Sequence, residues 1–132
     1  MDLGLRGRVA IVAAASKGLG RAVAEELARE GAEIAICSRT AADLEKAASR
    51  IHCAGGRKVF WQALDVGDAA AVAQFVAAVE GKFGRVDICV TNTGGPPSKL
   101  FAATTGEDWR AWTEQLLMSV VYFAKAVLPV MQ

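Results

Sequence analysis

The sequence has almost no net charge and no long apolar run. Its 132 residues include 15 Lys and Arg against 14 Asp and Glu, so the formal net charge is +1. A balance this close gives no reason to expect a nucleic acid or a charged membrane surface as a partner. No uninterrupted apolar run is long enough to cross a bilayer. We therefore expect neither a nucleic-acid nor a membrane partner.

Residues that bind metals or form disulfides are also scarce. The three cysteines, Cys37, Cys53 and Cys89, lack the spacing of metal ligands, and His52 is the only histidine. Cys37 and Cys89 fall in predicted strands, where a free thiol behaves as a small apolar residue. Cysteines used in this way are typical of a reduced protein. We expect no metal site and a cytoplasmic location.

The remaining composition is that of an ordinary globular domain. Hydrophobic residues make up 53% of the chain and charged residues 22%, which excludes a disordered protein. A chain of 132 residues is long enough for one domain with a sizeable core. We therefore treat residues 1–132 as a single domain.

The stretch Val9–Leu27 predicts a phosphate-binding turn. It begins with a short apolar run, continues through small residues, and then repeats Leu19, Val23 and Leu27 at helical spacing. The first N–H groups of a helix lack internal partners and carry the positive end of its dipole, so a strand, a glycine turn and a helix together can hold a phosphate. Gly18 and Gly20 would let a ligand approach the backbone closely.

The rest of the chain alternates strands and helices. This alternation, with short connections and right-handed crossovers, predicts a doubly wound parallel sheet of order 3-2-1-4. Capping residues are expected at the helix starts: Thr40 with Asp43, Asp68, and Thr105 with Asp108. The predicted strands are Val9–Ala13, Glu33–Cys37, Lys58–Leu64 and Val86–Thr91, with helices between them and a last helix over residues 107–131.

The glycine turn resembles a family motif. Residues 13–20, AAASKGLG, are similar to the TGxxxGxG turn of the short-chain dehydrogenase/reductase family, with Ala13 at the family's Thr and Ala14 at its first Gly. An alanine is acceptable there only if its φ is negative. The resemblance implies dinucleotide contacts from Ala14, Ser16, Lys17, Gly18, Leu19 and Gly20.

The end of the second strand predicts the type of dinucleotide. Folds that prefer NAD carry an acid there, which accepts a hydrogen bond from the ribose 2′-hydroxyl. This chain has Ser38 and Arg39 instead, and a guanidinium can bind a 2′-phosphate bidentately. Lys17 adds a second cation nearby. The pattern favours NADP(H) over NAD(H), as basic residues at both positions do in the resembled family.

Two further strand ends match the family. Asp65 and Val66 follow the third strand, where the resemblance implies contacts with the adenine. Residues 91–94, TNTG, resemble the family's NNAG motif, which implies cofactor contacts from Asn92, Thr93 and Gly94. Without the resemblance, Asp65 is read as the start of a turn and the Asn92 segment as an ordinary turn.

The resemblance also has two departures. The family's last-helix Asn, part of its proton relay, is Leu116 here, and the family's catalytic Ser and Tyr-x-x-x-Lys lie beyond the last residue of this sequence. Tyr122, the only tyrosine, is followed by Ala126 at the position of the Lys. The resemblance thus implies the cofactor half of an NADPH-dependent carbonyl reductase similar to the 3-oxoacyl-acyl-carrier-protein reductases, with an incomplete fold and no turnover by these residues alone. A non-catalytic nucleotide-binding or protein-interaction module stays open as an alternative.

The last helix and the fourth strand predict a homo-oligomer. The helix carries two apolar stripes, and a sheet can cover only one of them. The strand Val86–Val90 would present an apolar edge with unpaired backbone groups. The first stripe is Trp109, Trp112, Leu116, Val120, Phe123 and Val127; the second is Leu117, Val121, Ala124 and Leu128.

Overall fold

The computed structural model describes residues 1–132 and contains four strands and four long helices. A 3₁₀ turn at Phe101–Ala103 precedes the last helix. In chain order the elements are β1 Val9–Ala13, α1 Gly18–Arg29, β2 Glu33–Ser38, α2 Ala41–Gly55, β3 Phe60–Ala63, α3 Ala69–Phe83, β4 Ile88–Val90 and α4 Gly106–Met131.

The strands form one parallel sheet of order β3-β2-β1-β4, which confirms the predicted topology. The two outer strands are shorter than the sequence predicted. β3 is confined to Phe60–Ala63 and β4 to Ile88–Val90, and each strand pairs on one side only. One further backbone hydrogen bond continues each pairing by a residue: Leu64 N donates to Ser38 O, and Asp87 N donates to Val9 O. Every residue of the central strand β1 is buried, as expected for a strand covered on both faces.

Each face of the sheet has its own apolar core. On one face α1 and α2 pack through small and branched residues such as Ala24, Leu44 and Ile51. On the other face α3 and α4 pack through residues such as Phe75, Val79 and Phe123. This two-sided cover leaves the carboxyl ends of the strands free to form a site.

Two of the three predicted caps are present. Asp68 accepts hydrogen bonds from Ala70 N and Ala71 N, at 3.1 and 3.2 Å, and Thr105 forms a capping box with Asp108. The prediction for Thr40 with Asp43 is wrong. Thr40 occupies the N-cap position of α2, but its side chain accepts no hydrogen bond. The first N–H groups of an exposed helix end can bond water instead.

A π-helical turn, Glu114–Met118, interrupts α4. A π turn contains more residues than an α turn. Residues at helical spacing before and after it therefore no longer lie on the same face of the helix. The predicted first stripe is therefore not one face. Phe123 and Val127 are buried against the sheet, whereas Trp109, Leu116 and Val120 of the same stripe are exposed.

One helix, α4, is long and apolar enough to cross a bilayer by length and composition, which the search for apolar runs in the sequence did not identify. Gly106–Met131 is 26 residues long, with a mean hydropathy of 1.3 in its most apolar window. Helices that pack on a sheet within a core pass the same test. In α4 17% of that window is buried, and Phe123 and Val127 of this helix pack against the sheet.

Candidate functional site

A cleft of about 330 Å³ lies at the carboxyl edge of the sheet. It is bounded by the loops that follow β1, β2, β3 and β4, because the carboxyl ends of parallel strands meet at one edge. Eleven of the thirteen residues selected from the sequence line it, and they are Ala14, Ser16, Lys17, Leu19, Ser38, Arg39, Asp65, Val66, Asn92, Thr93 and Gly94.

The other two, Gly18 and Gly20, do not line the cleft. Gly18 has a φ of +63°, which explains the need for glycine at the start of α1. A Cβ on Gly20 would lie 2.5 Å from Ala14 O and 2.9 Å from Asn92 Nδ2. Gly20 was expected to let a ligand approach, but protein atoms occupy that space. Its lack of a side chain lets α1 pack against the turn and the end of β4.

Ala14 adopts the conformation that the sequence analysis identified as costly. Its φ is +50°, in the left-handed region, and it is the only residue other than glycine with a positive φ. For an L-residue with a Cβ this conformation costs roughly 1–2 kcal/mol. Asn92 Nδ2 donates to Ala14 O at 3.3 Å, which joins this strained turn to the end of β4.

The cleft contains two cations that have no partner in the protein. Neither Lys17 nor Arg39 makes a hydrogen bond or ion pair, whereas most other arginines do. Lys17 is the N-cap residue of α1, whose first turn has no side-chain cap and no acid. The unpaired cations and the open helix end make this part of the cleft suited to an anion.

Asp65 stabilises the turn that follows β3. Asp65 accepts a hydrogen bond from Gly67 N at 2.9 Å, and its carbonyl accepts one from Asp68 N at 3.0 Å. Asp65 therefore starts a turn, which is how its sequence position is interpreted without the family resemblance. It also lines the cleft.

Sequence reasoning missed four residues that line the cleft: Thr40, Asp43, Leu64 and Gln115. The first three are close in sequence to selected residues, and their positions just after Arg39 and before Asp65 could have indicated them. Gln115 lies far along the chain, in α4. No sequence signal places it there, because its position depends on the π turn.

A second pocket of about 450 Å³ adjoins the loop after β4. Three of its nine lining residues are aromatic, and we call it the aromatic pocket. Ring centroids are 6.2 Å apart for Phe101 and Trp109 and 5.2 Å apart for Trp109 and Trp112. Trp109 Nε1 donates to Thr104 Oγ1 at 3.0 Å, so the indole N–H is already satisfied. The full lining is Pro96, Pro97, Ser98, Lys99, Phe101, Thr104, Trp109, Trp112 and Leu116.

The thiols near the sheet are unsuited to nucleophilic chemistry. Burial raises the pKa of Cys37 to about 12 and that of Cys89 to about 11. Both are therefore protonated at neutral pH, and the thiolate is the nucleophile. They serve as small apolar residues of the core, as the sequence indicated.

Comparison with known proteins gives consistent matches. The family model for short chain dehydrogenases matches residues 8–132. The 3-oxoacyl-[acyl-carrier-protein] reductase FabG of Escherichia coli is 34% identical over 129 residues, which cover 98% of this chain and 51% of that protein. The chain thus spans about half the length of such a relative.

Solved structures also match over nearly all of this chain and about half of their own length. L-Sorbose reductase from Gluconobacter frateurii, complexed with NADPH and L-sorbose, has a TM-score of 0.93 and 34% identity, covering 99% of this chain and 50% of its own. A short chain dehydrogenase from Mycobacterium paratuberculosis bound to NAD has a TM-score of 0.90 and 26% identity, covering 96% and 51%. Since these neighbours hold different dinucleotides, the fold alone does not determine which one is bound.

Proposed function

The chain belongs to the short-chain dehydrogenase family, and we propose that residues 1–132 form the NADP(H)-binding half of a carbonyl reductase. Its relatives are about twice its length, so catalysis is proposed for the protein to which these residues correspond and not for this half alone. When bound, the nicotinamide would supply the hydride for reduction of a ketone.

The observation that carries the proposal is the pair of unpaired cations in the cleft. Ser38 ends β2 where NAD-preferring folds have an acid, so no carboxylate at that position repels a 2′-phosphate. Arg39 follows directly, and Lys17 reaches the same cleft from the glycine turn. A guanidinium and an ammonium that face an anion site without protein partners fit a phosphomonoester well.

The other cleft residues suit the rest of the dinucleotide. The open N-terminus of α1, preceded by Ser16, would hold the pyrophosphate through backbone N–H groups. Asp65 and Val66 would contact the adenine, and Asn92, Thr93 and Gly94 the ribose beyond the pyrophosphate, as the family resemblance implies. Asn92 already fixes the turn through Ala14 O, which keeps the edge of the cleft in place before any ligand binds.

For the substrate we propose a ketone with an apolar portion, of the 3-oxoacyl type. The aromatic pocket begins at Pro96, two residues after Gly94 of the cleft, so the two cavities share a loop. The polar groups of Trp109, Thr104 and Lys99 are paired within the protein. The aromatic rings, the two prolines and Leu116 therefore offer apolar surface to a ligand. Such a surface favours the hydrocarbon part of an acyl chain.

We further propose that the protein is cytoplasmic and homo-oligomeric. All three cysteines are free thiols, which supports a reducing compartment. The exposed apolar side chains of α4 and the one-sided pairing of β4 support self-association.

Titration of the purified chain with NADPH and NADH by calorimetry tests the cofactor proposal. We expect NADPH to bind at least tenfold more tightly than NADH, because only its 2′-phosphate can pair with Lys17 and Arg39. Equal affinities would contradict the assignment, and the absence of binding to either would favour a protein-interaction module.

A further inference from the structure

The π turn brings one residue of α4 into the cleft. Gln115 is half-buried and is the only residue of this helix that lines the cleft. Its neighbours point elsewhere: Glu114 accepts a hydrogen bond from the Tyr122 hydroxyl, and Leu116 lines the aromatic pocket. Ser119 Oγ donates to Gln115 O at 2.6 Å, so the π turn that presents this side chain is itself hydrogen-bonded.

The Gln115 side chain holds a loop that has few other restraints. Its Nε2 donates to Gly94 O at 2.8 Å. The backbone N–H groups from Thr93 to Leu100 make no backbone hydrogen bond, and Gly94 and Gly95 are among the least restricted residues a chain can have. Apart from Gln115, only the Thr93 hydroxyl contacts Gly94 O, at 3.3 Å.

The position of Gly94 determines which half of a dinucleotide this contact would affect. The sheet order places the end of β2, with Arg39, on one side of the glycine turn and the end of β4, with Gly94, on the other. A dinucleotide with its 2′-phosphate at Arg39 and its pyrophosphate at the turn would have its nicotinamide half beside Gly94. This step rests on the function proposed above.

We propose that Gln115 is a positioning residue that fixes the Gly94 peptide for the nicotinamide half of NADP(H). With the peptide already held, binding need not order a flexible glycine segment. Loss of the contact should therefore weaken binding of the whole dinucleotide and leave binding of its adenosine half unchanged.

Two ligands and three variants test this. NADPH contains both halves, whereas 2′,5′-ADP contains only the half that would lie at Lys17 and Arg39. Gln115→Glu keeps the shape of the side chain but removes the donor to Gly94 O, and Gln115→Ala removes the side chain. Glu114→Gln is the matched control, since Glu114 is the adjacent residue on the same π turn and lines neither the cleft nor the second pocket.

We expect both Gln115 variants to weaken NADPH binding by roughly three- to tenfold, the range for one lost hydrogen bond, with 2′,5′-ADP affinity unchanged. Glu114→Gln should leave both affinities unchanged. The inference is overturned if the Gln115 variants bind NADPH as the unmutated chain does, or if both ligands weaken equally. If the unmutated chain binds neither ligand, the proposed function fails and this inference fails with it.

Discussion

At the scale of the residue, Ala14 shows how a strained position can be recognised and tested. Its φ of +50° places a Cβ in the left-handed region, at the position where the family has glycine. Glycine would remove this strain of roughly 1–2 kcal/mol. It would also lower stability by about 0.4–1 kcal/mol, because it increases the conformational entropy of the unfolded chain. We predict that Ala14→Gly raises the free energy of unfolding by about 0.5–1 kcal/mol, as measured by urea denaturation.

Ala15→Gly is the natural control for this change. Ala15 is adjacent and fully buried, and its φ is not positive. The same substitution there removes a packed methyl group and gains no relief of strain, so it should be destabilising. A result in which both variants lose stability would contradict the assignment of strain to Ala14.

The sequence could identify the Ala14 position but not its conformation. The sequence shows that Ala14 replaces the first glycine of the motif. It also shows that an alanine there is free of strain only if its φ is negative. The sign of φ depends on how the turn packs, and here Asn92 of a distant strand and Gly20 of α1 constrain it. Such long-range constraints are not contained in local patterns.

At the scale of the element, the contact between α1 and α2 depends on Gly55, the last residue of α2. A Cβ on Gly55 would lie 2.5 Å from Ala28 O and 2.8 Å from Ala28 Cβ. Gly81, in α3, has no atom within 4 Å of the equivalent position. Packing therefore requires glycine at position 55 but not at position 81, although both positions lie in helices.

We predict opposite effects of alanine at these two positions. Gly55→Ala should lower the free energy of unfolding by about 1–3 kcal/mol, because the helices would have to separate. Gly81→Ala should raise it by up to about 1 kcal/mol through helix propensity alone. Thermal unfolding followed by circular dichroism measures both. Equal shifts in one direction would show that the close approach of the helices carries no cost.

The elements also show where sequence patterns are sufficient. β1 and β2 were predicted to within one residue, because an apolar strand between a turn and a helix leaves little choice. α4 was predicted as one helix with two apolar stripes, and the π turn divides the first of them. Since the turn inserts residues without a proline or glycine to mark it, periodicity alone could not locate it or bring Gln115 to the cleft.

At the scale of the whole molecule, two surfaces have the character of interfaces. Along α4, Leu117 is 60% and Leu128 54% exposed, and β4 pairs only with β1. We predict that the chain is not a monomer at tens of micromolar, because exposed apolar helix faces and open strand edges favour association. Light scattering after size-exclusion chromatography measures the mass directly.

A double variant distinguishes the two surfaces. Leu117→Lys with Leu128→Glu changes exposed side chains only, so the fold should be unaffected. A dimer formed through α4 would dissociate in this variant, whereas one formed by pairing of β4 edges would persist. A monomeric mass for the unmutated chain would contradict the prediction of association itself.

The central claim is that Lys17 and Arg39 make the cleft specific for the 2′-phosphate, and the Arg39→Asp variant tests it most directly. The measurement is the ratio of NADH to NADPH dissociation constants for the variant and for the unmutated chain. We predict a ratio above ten for the unmutated chain and below one for Arg39→Asp, because a carboxylate repels the phosphate and can accept a hydrogen bond from the 2′-hydroxyl. A ratio that does not change on substitution would contradict the account.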